Sequence, residues 1–245
     1  MRVLIYSDNH WCQYSSIVRK RGEKYSLRLE NQIASINWAE RLSLEMGCNK
    51  VVHLGDFFDS AVLNAEEISA LKEINWNKHI FHYFLCGNHE MGSSDLSFNS
   101  IRALGLCPFI DVIDKPYMQT EQDVVFIYLP YILEENREPL LHYIPSKEEC
   151  EGRKRIVFSH NDIKGIQMGQ FISKEGFEID DIRLNCDLFL NGHLHNGEKL
   201  SDKIINVGNL TGQNFSENAF KYDHCAYILD TDTMKVEVYE NPFAL

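Results

Sequence analysis

Short apolar runs in this chain end repeatedly in a polar motif rich in histidine, aspartate and asparagine. Four such motifs are Ser-Asp-Asn-His at residues 7–10, Gly-Asp-Phe-Phe-Asp at 55–59, Gly-Asn-His-Glu at 87–90 and Gly-His-Leu-His at 192–195. A fifth, Ser-His-Asn at 159–161, follows the run Ile-Val-Phe. Because the ends of strands in an α/β sheet meet at one edge and hold ligands there, the motifs predict one shared site.

The segments between the motifs alternate between strand-like and helical patterns. One helix is predicted by apolar residues at helical spacing, namely Leu29, Ile33, Ile36, Ala39, Leu42 and Met46. A second is predicted by Asn64 and Glu67, which form the pattern of a capping box. Strands are predicted at residues 3–5, 51–54 and 80–85. The first part of the chain is therefore predicted to follow the order β-α-β-α-β.

Further apolar runs predict a second half of the fold. Residues 109–113 and 124–129 indicate two strands around a turn, and residues 156–158, 188–190, 204–207 and 226–229 indicate strands of a second sheet. Residues 130–155 lack clear periodicity and are expected to form a partly helical surface excursion. Two sheets with helices outside them predict a four-layer α/β/β/α sandwich.

Length, charge and cysteine content narrow the class of protein. A chain of 245 residues with 44% apolar content can bury one sizeable core, so we expect a single domain over residues 1–245. The net charge of −12 opposes long-range attraction of nucleic acid, so any such contact needs a local basic patch, bound metals or a partner. Seven dispersed cysteines without a Cys-x-x-Cys pair predict reduced thiols. No run approaches the roughly 20 apolar residues of a membrane span, so we expect a cytoplasmic protein with no membrane contact.

The motif residues are of the kind that binds two metal ions. Asp8, His10 and His195 are predicted to hold one ion, Asn88, His160 and His193 the other, and Asp56 is predicted to bridge them. Two cations about 3.5–4 Å apart can activate a bridging hydroxide and neutralise phosphate charge, which is the chemistry of phosphodiester hydrolysis. Mixed imidazole and oxygen ligands favour manganese or iron, with zinc or nickel as further choices.

His89 follows Asn88 and need not bind metal, so we predict that it donates a proton to the leaving oxygen or stabilises charge in the transition state. Asp59 is predicted to orient it, and Glu90 is an alternative for the same role.

The segment from Trp11 to Arg28 follows the first motif and is basic and aromatic. Arg19, Lys20, Arg21 and Trp11 are predicted to contact a nucleic-acid substrate through phosphates and stacked bases. The alternative interpretation is a solvated loop followed by the charged first turn of a helix.

In their order, the motifs resemble those of the calcineurin-like metallophosphoesterase superfamily. The segments 55–59, 129–131 and 207–211 are most similar to nuclease subunits of the SbcD type, in a phage or bacterial member. This resemblance implies a dinuclear-metal phosphodiesterase that cuts DNA in repair or recombination, with a separate SbcC-like ATPase subunit; a homodimer is a further expectation.

Two departures from family patterns shape this expectation. Protein phosphatases of the superfamily carry Arg-Gly after the second aspartate, whereas Ser60 and Ala61 stand here, which disfavours the monoester branch. The chain ends about fifty residues after His195, so we expect no separate DNA-capping domain. Two alternatives stay open, a small-nucleotide phosphodiesterase or phosphatase, favoured by the acidic net charge, and a non-catalytic protein-binding scaffold.

Overall fold

Two β-sheets packed face to face form the centre of the molecule. The computed structural model describes residues 1–168, 171–214 and 222–244. In chain order the strands are β1 Arg2–Tyr6, β2 Lys50–His53, β3 Phe81–Leu85, β4 Ile110–Ile113, β5 Tyr117–Glu121, β6 Val124–Leu129, β7 Lys154–Ser159, β8 Gln167–Met168, β9 Phe171–Ile172, β10 Leu188–Asn191, β11 Glu198–Lys199, β12 Ile204–Asn206, β13 Cys225–Asp230 and β14 Lys235–Glu240. The α-helices are α1 Leu27–Glu45, α2 Ala65–Ala70 and α3 Ile179–Asn185.

Each large sheet has six strands within the described residues. The first has the order β14-β13-β1-β2-β3-β4 and the second the order β11-β12-β10-β7-β6-β5. The four strands β1 to β4 are parallel, as are β12, β10, β7 and β6. Parallel strands end at the same edge, so the segments that follow β1, β2, β3, β7 and β10 emerge together.

Helix α1 forms as its sequence pattern predicts. The Ser26 side chain caps its start by accepting a hydrogen bond from the Leu29 amide. At its other end, Gly47 has a φ of 62°, a left-handed conformation in which glycine carries no Cβ penalty. The capping box of Asn64 and Glu67 at the start of α2 is also present, which confirms that prediction.

Three apolar layers hold the elements together. Between the sheets, Ile5 and Val52 of the first sheet belong to the same buried cluster as Phe158 and Leu190 of the second. A second cluster lies between the first sheet and α1 and includes Leu29 and Ile36. A third covers the outer face of the second sheet and includes Ile182 of α3. This arrangement confirms the predicted α/β/β/α sandwich.

Some strand assignments from the sequence need correction. The run 226–229, predicted for the second sheet, lies in β13 and pairs antiparallel with β1 in the first sheet. The runs 109–113 and 124–129 do not pair around a turn, because β4 belongs to the first sheet and β6 to the second, where β5 is its hairpin partner. β5 and β14 were not predicted because both are edge strands with largely exposed, polar residues.

Residues 130–155 contain two short 3-10 helices, Glu134–Asn136 and Leu140–His142, in agreement with the predicted partly helical excursion. All seven cysteines are free, as expected. No helix among the described residues is long and apolar enough to cross a membrane.

Candidate metal centre

Backbone hydrogen bonds continue the sheets into the motif loops and bring the loops together. The Asp8 amide donates to the Gly55 carbonyl at 3.1 Å and the His10 amide to the Asp56 carbonyl at 3.0 Å, so the first two motifs run side by side beyond β1 and β2. In the second sheet, the Gly192 amide donates to the Ser159 carbonyl at 2.9 Å. The positions of the ligands therefore depend on the strand pairing itself.

Four of the predicted ligands have a left-handed backbone. The φ angles are 50° at Asp8, 46° at His10, 53° at Asp56 and 72° at His193. This region is uncommon for non-glycine residues, although aspartate and histidine enter it more readily than most. Such conformations cluster at functional sites, where the surrounding structure compensates their cost.

At two motif glycines, neighbouring side chains lie so close to the backbone that an added Cβ would clash with them. A Cβ on Gly87 would lie 2.1 Å from Asp56 Oδ1, and a Cβ on Gly192 would lie 2.2 Å from Ser7 Oγ and 3.1 Å from His160 Nδ1. The ligands approach these backbones so closely that only glycine fits.

The first cluster of ligand atoms comes from Asp8, His10 and His195, whose atoms lie within 4.8 Å of one another. Asp8 Oδ2 accepts hydrogen bonds from the Ser7 hydroxyl and, at 3.0 Å, from the His193 amide. Asp8 Oδ1 is buried without a hydrogen-bond partner in the described part of the chain. The carboxylate is thus oriented with one oxygen directed into the cluster.

His10 is oriented in the same way. Its Nδ1 donates to Asp59 Oδ1 at 3.0 Å, because a carboxylate only accepts, and its Nε2 lies 2.9 Å from His195 Nε2. Burial lowers the pKa of His10, against the opposing effect of Asp59, and so favours the neutral ring. A neutral ring with Nδ1 protonated presents the Nε2 lone pair that a metal requires.

The second cluster comes from Asp56, His160 and His193. His160 Nδ1 donates to the Leu54 carbonyl at 2.6 Å, and its Nε2 faces Asp56 Oδ2 at 3.2 Å and Asn88 Oδ1 at 3.3 Å. His193 Nε2 lies 3.2 Å from Asp162 Oδ1, while its Nδ1 is buried without a partner among the described residues. Predicted ligands from four motifs therefore meet here.

Opposite charges in this cluster stabilise each other against the cost of burial. Burial opposes the ionised form of Asp56, but the adjacent His160 lowers the pKa of the carboxyl below its usual range. Burial likewise opposes a charged His160, yet the Asp56 carboxylate raises the pKa of that imidazole to about 9. A proton on His160 and a cation compete for the same space between these groups.

The residues present fit two divalent metal ions. Buried acceptors without a donor are costly, and here they occur in both clusters, at Asp8 Oδ1 and His193 Nδ1. Cations placed in the clusters would satisfy them, and the mixture of imidazole nitrogen and oxygen suits transition metals. The structure brings together all seven predicted ligands; Asp56 belongs to the second cluster, and its bridging role stays a prediction.

His89 lies at the exposed edge of the centre. Its ring centroid is 4.6 Å from that of His10, and 40% of its side chain is exposed. His89 Nδ1 donates to the Asp59 carbonyl at 3.0 Å, and the Asp59 carboxylate is 3.7 Å away. Asp59 is thus the neighbour that orients His89.

A third group of side chains close enough to hold an ion consists of His10, Asp59 and His89. However, His10 Nδ1 and Nε2 point in different directions, and its Nδ1 is the nitrogen that bonds to Asp59. We therefore interpret Asp59 as the hydrogen-bond partner of both histidines.

The hydrogen bonds of Glu90 differ from those of a residue that orients His89, the role considered for it from the sequence. It is fully buried and accepts backbone hydrogen bonds from Gly87 at 2.6 Å, Phe58 at 3.0 Å and Asp56 at 3.2 Å. Burial, followed by the charge of Asp56, raises the pKa of Glu90 to about 8. Its role is to join the second and third motif loops rather than to orient the His89 ring.

Several residues that support the predicted ligands were not predicted from the sequence. Asp162 bonds to His193, and it follows the fifth motif directly, which is the signal that could have found it. Arg28 is fully buried, and it donates to the Asn9 carbonyl at 3.1 Å and to Gln213 Oε1 at 3.0 Å. Gln213 Nε2 in turn donates to Asp59 Oδ1 at 2.9 Å. No local sequence signal marks the link from Arg28 through Gln213 to Asp59, because both of its hydrogen bonds cross more than 150 positions of the chain.

The predicted substrate contacts have different environments. Arg19 and Lys20 are exposed. Arg21 is exposed too, but its guanidinium forms an ion pair with Glu66. Trp11 requires a correction: its side chain is fully buried, and its indole nitrogen donates to the Glu67 carbonyl at 3.1 Å. It is a core residue with no ring face available for a base.

Comparisons with known proteins agree with this geometry. The family described as calcineurin-like phosphoesterase matches residues 1–229. The chain is 24% identical over 260 residues to the probable exonuclease subunit 1 of Escherichia phage T5, a match that covers 98% of this chain and 69% of that protein.

Among solved structures, a dimetal phosphatase from Danio rerio is similar with a TM-score of 0.51 and 11% identity, over 93% of this chain and 91% of that one. An archaeal phosphodiesterase is similar with a TM-score of 0.48 and 15% identity, over 98% and 99% of the two chains. At 11% identity, the likeness to the Danio rerio phosphatase concerns the fold alone. With the family match over most of its length and the ligand clusters of a dinuclear centre, the chain belongs to the calcineurin-like phosphoesterase family and is a metal-dependent hydrolase.

Proposed function

We propose that this protein is a phosphodiesterase that cleaves DNA. The observation that carries the proposal is the position of His89, an exposed imidazole beside the ligand clusters whose Nδ1 donates to a backbone carbonyl. The sugar oxygen released from a nucleic-acid diester is a poor leaving group, so its cleavage needs a positioned proton donor. In its imidazolium form, His89 keeps this Nδ1 hydrogen bond and can donate the Nε2 proton to the leaving oxygen.

The other residues act by binding and orientation. When bound, two divalent cations supply Lewis acidity, charge neutralisation and an activated water. The Asp59 carboxylate holds the His10 ring, and the Asp59 carbonyl holds the His89 ring. One residue therefore orients both a predicted ligand and the proposed proton donor. Ser7 and the His193 amide fix the direction of the Asp8 carboxylate. We expect manganese or iron in the protein, in line with the mixed ligands.

Two observations support DNA as the substrate. The phage T5 relative that spans nearly this whole chain is named an exonuclease subunit. Ser60 and Ala61 stand after Asp59, where protein phosphatases of the family carry Arg-Gly to grip a monoester. We further propose that the chain works with an SbcC-like ATPase, since the T5 protein is named as one subunit.

A second candidate is a phosphodiesterase for small nucleotides. The net charge of −12 favours it, because a strongly acidic protein repels a polyanion at long range.

An activity panel tests the proposal. Single- and double-stranded DNA, a cyclic nucleotide, a generic diester and a generic monoester are each incubated with the protein in Mn²⁺, Fe²⁺, Zn²⁺ or Ni²⁺. We expect cleavage of DNA, with little monoester turnover. The test variant is His89→Ala, which is expected to lose cleavage. The matched control is His79→Ala, which replaces an exposed histidine and is expected to leave cleavage unchanged. A protein that loads two metals and hydrolyses the cyclic nucleotide but neither DNA refutes the nuclease proposal.

A further inference from the structure

An open cavity of about 440 Å³ lies directly beside the metal centre. Its volume is within the roughly 300–1,000 Å³ range of ligand pockets. The cavity is lined by Tyr14, Ser15, Ser16, Arg19, Asp59 and Gln213.

Asp59 connects this cavity to the catalytic groups. Its Oδ1 atom is 3.0 Å from His10 Nδ1 and 3.7 Å from His89 Nδ1. A molecule in the cavity therefore lies next to any phosphodiester held between the ligand clusters and His89.

Hydrogen bonds hold the walls of the cavity in place. The Gln13 amide donates to Glu67 Oε1 at 2.8 Å, and the Ser15 amide donates to the Val18 carbonyl at 3.1 Å. Two lining residues are joined directly, because the Ser16 hydroxyl donates to the Gln213 carbonyl at 3.3 Å. A wall ordered in this way loses little entropy when a ligand binds.

The cavity offers one aromatic ring and one cation. The Tyr14 side chain is 42% exposed, so a face of its ring can meet a ligand. Arg19 is exposed, and its Nε donates to the Ser15 carbonyl at 3.4 Å, which places its guanidinium along the wall. Its neighbours Arg21 and Lys24 are neutralised by ion pairs with Glu66 and Glu73.

We propose that this cavity binds the unpaired nucleotide next to the scissile phosphodiester, with its base on Tyr14 and its outer phosphate at Arg19. This proposal rests on the proposed DNA-cleaving function and names the form of DNA that the site takes. Both faces of a base inside a duplex are covered by its neighbours, so only an unstacked base can meet Tyr14. The site consequently prefers single strands and unpaired ends over an intact duplex.

The experiment measures KM and kcat for a single-stranded oligonucleotide, a blunt duplex and a small synthetic diester. Tyr14→Ala is expected to raise KM for the single strand by about 5- to 150-fold, the range for one lost base–aromatic stack. The variant Tyr14→Phe keeps the ring and is expected to retain most of the affinity. Arg19→Gln is expected to weaken binding and reduce its salt dependence, as loss of one phosphate contact does. The matched surface controls are Tyr117→Ala and Arg41→Gln, which lie outside the cavity.

Binding is measured separately from cleavage, by fluorescence anisotropy of the same oligonucleotide with Mn²⁺ in a His89→Ala background. If the wild-type protein cuts no DNA but Tyr14→Ala still weakens this binding, the nuclease proposal fails and the nucleotide site stands. If Tyr14→Ala and Arg19→Gln leave binding and KM for the single strand unchanged, the site is refuted. Equal losses for single strand and duplex refute the preference for unpaired DNA.

Discussion

Glu90 provides the sharpest test of how the motif loops are held together. Its two carboxyl oxygens accept hydrogen bonds from three buried amides, those of Asp56, Phe58 and Gly87. Each buried donor left without an acceptor costs roughly 1–3 kcal/mol. We therefore expect Glu90→Ala to lower the free energy of unfolding by about 3–5 kcal/mol, with water entering the space left behind. Glu90→Gln keeps one acceptor oxygen and is expected to cost about 1–3 kcal/mol.

Loss of the hydrogen bond to the Asp56 amide also loosens a predicted metal ligand. Loss of outer contacts of this kind typically lowers metal affinity by about 10- to 100-fold. Urea unfolding of the metal-free protein and calorimetric titration with Mn²⁺ measure the two effects. The control is Glu67→Gln, a buried glutamate that caps α2 away from the clusters and accepts from the Asn64 and Gln13 amides. It is expected to lower stability without weakening metal binding. Unchanged urea midpoint and metal affinity in Glu90→Ala would refute this reasoning.

The pH dependence of the metal-free protein follows from the same residue. The pKa of Glu90 is raised from an ordinary 4.5 to about 8, first by burial and then by the Asp56 charge. A carboxyl whose pKa is higher in the folded chain favours the folded state when protonated. This contribution is complete below about pH 4.5 and is lost as the pH rises through about 8. Stability of the protein in EDTA should fall across this window, and Glu90→Gln should flatten the decrease.

Three further substitutions separate ligands from supporting groups. His89→Ala should retain both metals and slow turnover by about 10²- to 10⁴-fold, the usual contribution of a positioned acid; loss of a metal in calorimetry would instead identify His89 as a ligand. Asn88→Ala should weaken one of two metal-binding steps, and two unchanged steps would exclude it as a ligand. Asp162→Ala should loosen His193 and reduce the affinity for Mn²⁺ by about 10- to 100-fold, as measured by titration. The urea midpoint of the metal-free protein should change little. An unchanged affinity would contradict this role.

Much of the site could be predicted because its ligands follow strands that the sequence marks clearly. The runs before Asp8, Asp56 and His160 are short and apolar, and parallel strands place their ends at one edge. The assignment of strands to sheets was less accurate. The apolar run in β13 is compatible with either sheet, and only its antiparallel pairing with β1 decides between them.

Supporting residues were the least predictable part of the site. Trp11 stands in a basic, aromatic segment that suggests an exposed contact, yet its ring packs against Phe57 in the core. Arg28 and Gln213 are far apart in sequence, and their link to Asp59 exists only in the folded chain. Burial and long-range hydrogen bonds depend on the relative positions of several elements, which no local pattern encodes.

The sequence by itself determined the kind of chemistry, because five motifs in one order carry histidine, aspartate and asparagine side chains of the kind that binds two metals. It also determined the layered α/β architecture through the alternation of apolar runs and helical patterns. Only the tertiary structure decided that Asp56 lies in the second cluster, that Asp59 holds both His10 and His89, and that Glu90 joins two loops. The physical reason is that ligand identity is a local property of residues, whereas orientation depends on hydrogen bonds between segments that meet only after the two sheets have packed.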